Sequence, residues 1–85
     1  MVHRLKTWDE FMLDIATCNK TFEVRKNDRG FDVGHVLLLE GWDNKEQQYT
    51  GKVIEAEVTY ILHGGQWGIE EGYCVLGINV RNYNF

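Results

Sequence analysis

Three side chains of complementary charge lie close together in the first third of the chain: Lys20, Glu23 and Arg25. In an extended strand Glu23 and Arg25 share one face, while Phe22 and Val24 share the other. Lys20 stands where this segment begins, so its ammonium group can turn towards both. A carboxylate that braces an arginine offers a rigid fork for a phosphate or a base edge, and a lysine adds a point charge. The competing interpretation is a solvated strand face with a weak surface ion pair.

Further cations and aromatic residues could extend such a site. Lys6, Lys26 and Arg29 are candidates for peripheral contacts to a nucleic-acid backbone. Trp67 lies in a glycine-rich loop, where it could pack on the fold as an anchor or serve as a stacking platform for a base. Tyr73 is a second candidate for stacking.

Other chemistries find little support in the spacing of residues. The histidines and cysteines show no ligand spacing such as CxxC or HxxxH, so we expect neither a metal site nor a cofactor. The glycines of "HGGQWG" lack the GK[ST] of a phosphate-binding loop, and there is no GxSxG. Lys20 and Glu23 could do acid–base work only if burial lowered the pKa of the lysine.

The composition predicts one globular domain spanning residues 1–85, with 44% apolar residues and a net charge of −4. This charge argues against indiscriminate binding to nucleic acid or anionic membranes. Six of the nine Lys and Arg residues nevertheless lie within residues 1–30, so a local basic patch is compatible with it. Two distant cysteines predict free thiols in a reducing compartment. Since no apolar leader or membrane span is evident, we expect a cytoplasmic protein of a bacterium, or of a host cell if a phage encodes it.

One helix is predicted, from about residue 8 to residue 17, after a short strand that ends at Thr7. Thr7 and Glu10 have the spacing of a capping box. The apolar residues of this helix fall on one face that we expect to pack on the core: Trp8, Phe11, Met12 and Ile15.

Four strands follow the helix in the prediction, at about residues 20–26, 35–42, 52–62 and 73–80. The second of these has an unbroken apolar run and is expected to be buried on both faces. The third alternates clearly, and one of its faces carries Ile54, Ala56, Val58, Tyr60 and Leu62. The fold class is therefore α+β and mostly β, a small, mostly antiparallel β-barrel with one main α-helix.

The segment from Cys18 to Arg25 resembles the signature of the ASCH domains, G-x-K-x-x-E-x-R, whose fold is related to the PUA domain. The likeness is closer to a group of small, uncharacterised ASCH-like proteins of phages and bacteria. Five of their motifs recur here in the same order, at His3–Lys6, Lys20–Gly34, Tyr49–Gly51, Val58–Leu62 and Gly72–Gly77.

This resemblance implies a PUA-like barrel in which one helix covers a cleft lined by Lys20, Glu23 and Arg25. It implies that the ligand is RNA or a nucleotide. Two positions depart from the pattern. Cys18 replaces the motif glycine, so any backbone angle that needed glycine is expected to be relaxed. His35 stands where the pattern usually has aspartate.

Two other functions remain open. The family includes a metal-free amidohydrolase branch that deacylates acetylcytidine. Lys20 matches its catalytic lysine, but Glu23 stands in place of its catalytic threonine, and its glutamate has no counterpart by position. If the chain is an enzyme, Lys20 and Glu23 would be the catalytic residues. The other alternative is a phage accessory protein that binds or sequesters a host protein or a signalling nucleotide, using an acidic surface of Glu40, Glu46, Glu55, Glu57, Glu70 and Glu71.

Overall fold

The computed structural model describes residues 1–85 and contains five strands and one helix. The elements in chain order are β1 (Val2–Trp8), α1 (Asp9–Ala16), β2 (Phe22–Lys26), β3 (Val36–Asp43), β4 (Gln48–His63) and β5 (Tyr73–Asn84). The strands form one sheet in the order β1-β3-β4-β5-β2, curled into a half-barrel. The predicted fold class, mostly β with one main helix, is confirmed. No helix has the length and apolar character needed to span a bilayer.

The sheet is mixed, because β1 pairs with β3 in parallel while the other three pairs are antiparallel. The chain leaves β1 through α1 and β2 and only then adds β3 beside β1. As a result β1 and β2 are consecutive strands in the chain but occupy opposite edges of the sheet. The curl brings these edges together, and the Arg25 guanidinium on β2 donates a hydrogen bond of 3.0 Å to the Thr7 hydroxyl on β1. We call this gap between β1 and β2 the seam.

The core lies between α1 and the inner face of the sheet. Met12 and Ile15 of α1 are fully buried, and α1 packs against β1, β3, β4 and β5. The sheet and the β2–β3 loop contribute the rest of the core: Leu5, Phe31, Leu37, Leu39, Ile54, Ala56, Val58, Cys74, Leu76 and Ile78.

The predicted capping box at the start of α1 is wrong. Trp8 is the N-cap residue, and no side chain caps the free amides of the first turn. Thr7 is the last inward-facing residue of β1, so its hydroxyl points into the fold, where it donates to the Leu5 carbonyl and accepts from Arg25. The helix start is instead tied to β4, because the Asp9 carboxylate accepts hydrogen bonds from Thr50 at 3.1 Å and from Lys52 at 3.2 Å.

Two expectations about strand faces need correction. β3 is fully buried on one face only, through Leu37 and Leu39, because the single helix covers only the inner side of the sheet. On β4 the predicted alternation ends at a β-bulge: Val58 pairs with Ile78 and Tyr60 with Gly77, which leaves Thr59 as the extra residue. Tyr60 therefore faces solvent, and Ile61 packs against the core in its place.

Candidate ligand-binding cleft

Strand β2 turns its charged side chains inward and its apolar side chains outward. Glu23 is only 5% exposed, whereas Phe22 and Val24 on the opposite face are exposed. Arg25 lies on the same inner face as Glu23 and is partly buried. A carboxylate is rarely buried in this way unless it is paired, since desolvation of the charge is costly. We call this arrangement, with charged side chains inside and apolar side chains outside, the inversion of β2. It shows that the fold accommodates a buried charge on this strand.

Glu23 is the centre of a hydrogen-bonded group that we call the triad: Lys20, Glu23 and Arg25. The Lys20 ammonium donates to one carboxylate oxygen at 2.9 Å, and the Arg25 guanidinium donates to the other at 3.3 Å. Lys20 is held further by the Phe22 carbonyl at 2.7 Å. The buried carboxylate is thereby satisfied on both oxygens. Two cations around one anion leave a surplus positive charge at this point of the seam.

A cleft of about 320 Å³ opens where the seam meets the start of α1. We call it the seam cleft. It is bounded on one side by Lys6, Thr7 and Trp8 of β1 and on the other by Glu23, Val24 and Arg25 of β2, with Phe11 of α1 beside them. The Nε and Nη1 donors of Arg25 have no partner within the protein. The cleft therefore combines a buried carboxylate, free guanidinium donors and aromatic surface.

The aromatic surface comes from Trp8 and Phe11, which the sequence predicted as core residues. They are 49% and 40% exposed, respectively, and only Met12 and Ile15 of that apolar face pack on the core. The alternation of β1 contained a signal for Trp8: since His3, Leu5 and Thr7 point inward, Trp8 must point outward. For Phe11 the sequence held no comparable signal, because its exposure depends on the open seam.

The triad residues lie together, as the spacing predicted, but the peripheral candidates are scattered. Lys6 lines the seam cleft. Lys26 is exposed and pairs across the sheet with Tyr73, and the Arg29 guanidinium donates to a backbone carbonyl of β1 at 2.8 Å. Trp67 is 80% exposed in the β4–β5 loop, so it does not anchor that loop on the fold. Of these five, only Lys6 forms part of the cleft wall.

A second pocket, of about 460 Å³, lies beside the first one. We call it the acidic pocket. The start of α1 contributes Trp8, Asp9 and Glu10, and the end of β3 with the following turn contributes Trp42, Asp43, Asn44 and Lys45. Trp8 thus lines both pockets. Sequence reasoning missed this pocket because its two halves are more than thirty positions apart and meet only through the β1–β3 pairing.

Two of the three histidines, His3 and His35, are in contact. His3 and His35 share a hydrogen bond of 3.0 Å between Nε2 and Nδ1, and the ring of Phe31 packs edge-on against His3. Burial, followed by the neighbouring His35, lowers the pKa of His3 below 6.5. The structure contains no group of three or more His, Cys, Asp or Glu side chains arranged to hold a metal ion.

Comparison with known proteins gives one family match. The family profile described as "Domain of unknown function (DUF3850)" matches residues 2–78. This range includes the triad and the linings of both pockets. No curated protein matches the chain.

Proposed function

For this chain, which belongs to the DUF3850 family, we propose that the seam cleft binds RNA or a nucleotide. The observation that carries this proposal is the buried Glu23, held between Lys20 and Arg25 on the wall of a cleft with exposed aromatic rings. If β2 contributed only to stability, we would expect Phe22 and Val24, rather than Glu23 and Arg25, to face the interior.

The chemistry of the cleft suits a nucleotide better than an uncharged ligand. The surplus positive charge and the free donors of Arg25 favour a phosphate or the acceptors of a base edge. Trp8 and Phe11 provide surfaces on which a base can stack. The volume of about 320 Å³ lies at the lower end of small-molecule sites, which suits a base or a nucleoside rather than a duplex.

The proposal includes a relationship to ASCH domains and a PUA-like classification of the half-barrel. Its support is the Lys-x-x-Glu-x-Arg spacing of Lys20, Glu23 and Arg25 together with their mutual hydrogen bonds. A ligand cleft lined by these three residues would explain both the likeness to the ASCH motif and the hydrogen bonds among the triad.

Binding is favoured over the amidohydrolase alternative by the contacts of Lys20. Its ammonium donates to the Glu23 carboxylate at 2.9 Å and to the Phe22 carbonyl at 2.7 Å. A lysine that activates a nucleophile must instead direct its amine at that nucleophile, so these internal contacts favour a binding role. The accessory-protein alternative is weakened at two of its acidic residues, since Glu40 is paired with Arg4 and Glu57 with Arg81.

The test compares wild type with Arg25→Ala and Glu23→Gln in affinity for nucleotides and short RNA, measured by calorimetry. We expect Arg25→Ala to weaken binding most, because it removes the contact itself. Glu23→Gln should weaken binding by about 1–2 kcal/mol, since a charge-assisted bond becomes a neutral one. Arg81→Ala is the matched control, because Arg81 is also paired with a glutamate but lies outside the cleft.

Melting temperatures must accompany these affinities, because Glu23 is buried and its replacement also affects stability. Affinity is therefore measured at a temperature where every variant is folded. Unchanged affinity in both cleft variants would overturn the proposal. The hydrolase alternative would be established instead by two results together. Wild type would turn over acetylcytidine, and Glu23→Gln would lower that turnover by about 10²–10⁴-fold while leaving substrate binding intact.

A further inference from the structure

We infer that the ligand is a single strand of at least two nucleotides, with one base in the seam cleft, its neighbour in the acidic pocket and Trp8 between them. This inference rests on the proposed function. Its starting point is that Trp8 lines both pockets and is about half exposed. Stacking on aromatic rings is the usual way in which proteins hold consecutive bases of a single strand.

The acidic pocket has the aromatic surface that a second base requires. Trp8 and Trp42 are directly opposite each other in the parallel pairing of β1 and β3, so both indoles leave the sheet on the same face. Tyr49 packs edge-on against Trp42, with 4.9 Å between the ring centroids. This contact holds the Trp42 ring in position before any ligand arrives.

The polar lining of the acidic pocket suits a base and repels a phosphate. Three carboxylates, Asp9, Glu10 and Asp43, outweigh the one cation of the lining, Lys45. Asp9 and Asp43 already accept hydrogen bonds within the protein, but the Glu10 carboxylate has no partner. Carboxylates accept hydrogen bonds from the exocyclic amines of bases, as at cytosine N4. The pocket should therefore prefer a base that carries an amino group over uracil.

Lys6 occupies the boundary between the two pockets. It lines the seam cleft, and its ammonium lies 3.7 Å from the centroid of Trp42, which lines the acidic pocket. A phosphodiester that joins two bases, one in each pocket, would pass this charge. A free mononucleotide can fill only one pocket, whereas a dinucleotide uses both pockets and Lys6 at once.

The experiment titrates the protein with the four nucleoside monophosphates and with the full set of dinucleoside monophosphates. We expect the best dinucleotides to bind at least about fivefold tighter than the better of their two monophosphates, the minimum for one added stacked base. Trp42→Ala should abolish this advantage, and it should weaken dinucleotide binding by a larger factor than monophosphate binding. Trp67→Ala is the matched control, because Trp67 is exposed and outside both pockets, and it should change neither affinity.

A second variant keeps the test independent of any folding defect at Trp42. Glu10 is exposed, so Glu10→Ala should fold normally and remove only the preference for an amino-bearing base over uracil. The inference would be overturned if dinucleotides bound no tighter than monophosphates. It would also be overturned if Trp42→Ala lowered the affinity for both ligand classes by the same factor. Either result would leave the proposed function standing. If neither ligand class binds wild type, both fail.

Discussion

Cys18 adopts a backbone conformation that residues with a Cβ atom rarely occupy, with φ at 63°. It follows Thr17, the C-cap residue of α1, at the position where a glycine is usual because the left-handed conformation ends a helix. The expectation that cysteine would relax this angle is wrong. The backbone amides of Asn19 and Lys20 both donate to the Asp14 carbonyl, and this turn delivers Lys20 to Glu23. The tight turn keeps the left-handed angle, so the cysteine carries its strain.

Replacing Cys18 with glycine should therefore stabilise the protein. We expect Cys18→Gly to raise the free energy of unfolding by about 1 kcal/mol, the cost of a left-handed residue with a Cβ atom. For a domain of this size the melting temperature should rise by roughly 4–8 °C. Cys18→Ala is the control, since it removes the thiol and keeps Cβ. Thermal unfolding that shows an equal rise in both variants would assign the effect to the thiol instead.

Strand β2 shows at the level of a whole element how an edge position can reverse the usual preference for buried apolar residues. Its inner face meets the seam, where Thr7 and Lys20 provide polar partners, rather than the apolar core. Its outer face carries exposed Phe22 and Val24, opposite Gly77 and Val75 of β5. The apolar residues of this strand therefore contribute little to the core.

The inversion of β2 predicts how two valines respond to the same substitution. Val24→Thr should change the free energy of unfolding by less than about 0.5 kcal/mol, because Val24 is 53% exposed. Val58→Thr should cost about 1–3 kcal/mol, because Val58 is fully buried and the new hydroxyl would lack a partner. Denaturant unfolding measures both. Equal losses in the two variants would contradict the orientation of β2.

The contact between His3 and His35 links β1 to the loop that precedes β3, and it makes this junction sensitive to pH. Burial, His35, Arg29 and the amino terminus all lower the pKa of His3 below the value of 6.5 that we take for the unfolded chain. Below about pH 6.5 the unfolded chain binds a proton at His3 that the folded protein resists. The contribution of His3 to the free energy of unfolding is therefore fully present above this pH, and it is lost as the pH falls towards the lowered pKa.

His3→Gln should flatten this decline, since glutamine stays neutral across the range. The measurement is the free energy of unfolding between pH 5 and pH 8 for wild type and variant. His63→Gln is the control, because His63 is exposed and lies outside the pair. If the free energy of unfolding of His3→Gln declined with falling pH as it does in wild type, a group other than His3 would be responsible for the decline.

For the molecule as a whole, the charge distribution limits how much of a nucleic acid it can contact. Its net charge is −4, and five of its nine cationic side chains already form ion pairs within the protein, namely Arg4, Lys20, Arg25, Lys52 and Arg81. An extended basic surface for a long strand is absent. Binding should therefore involve few phosphates.

The salt dependence of RNA binding checks this limit. Each phosphate neutralised on a single strand contributes about −0.7 to the slope of log affinity against log salt concentration. We expect a shallow total slope, no steeper than about −5 even for a long oligonucleotide. A steeper slope, measured by titration at several salt concentrations, would show that a broader surface than the two pockets takes part.

The local features of the protein could be predicted from its sequence because they depend on residues close together in the chain. The helix and the five strands follow from apolar periodicity and turn residues, and they occur where predicted to within a few positions, apart from longer ends on β4 and β5. The common face of Glu23 and Arg25 follows from the two-residue repeat of a strand. The proximity of Lys20 to Glu23 follows from their separation of three residues.

The tertiary structure alone decided which face of each element is buried and which distant residues meet. A two-residue repeat places Glu23 opposite Val24 but cannot say which of the two faces inward; the edge position of β2 decides that. Thr7 meets Arg25 only because the sheet order puts β1 and β2 at opposite edges and the curl closes them together. Trp8 and Trp42 meet only through a parallel pairing of non-consecutive strands. These contacts depend on how strands far apart in the chain pair and curl into one sheet, which no short stretch of the chain encodes.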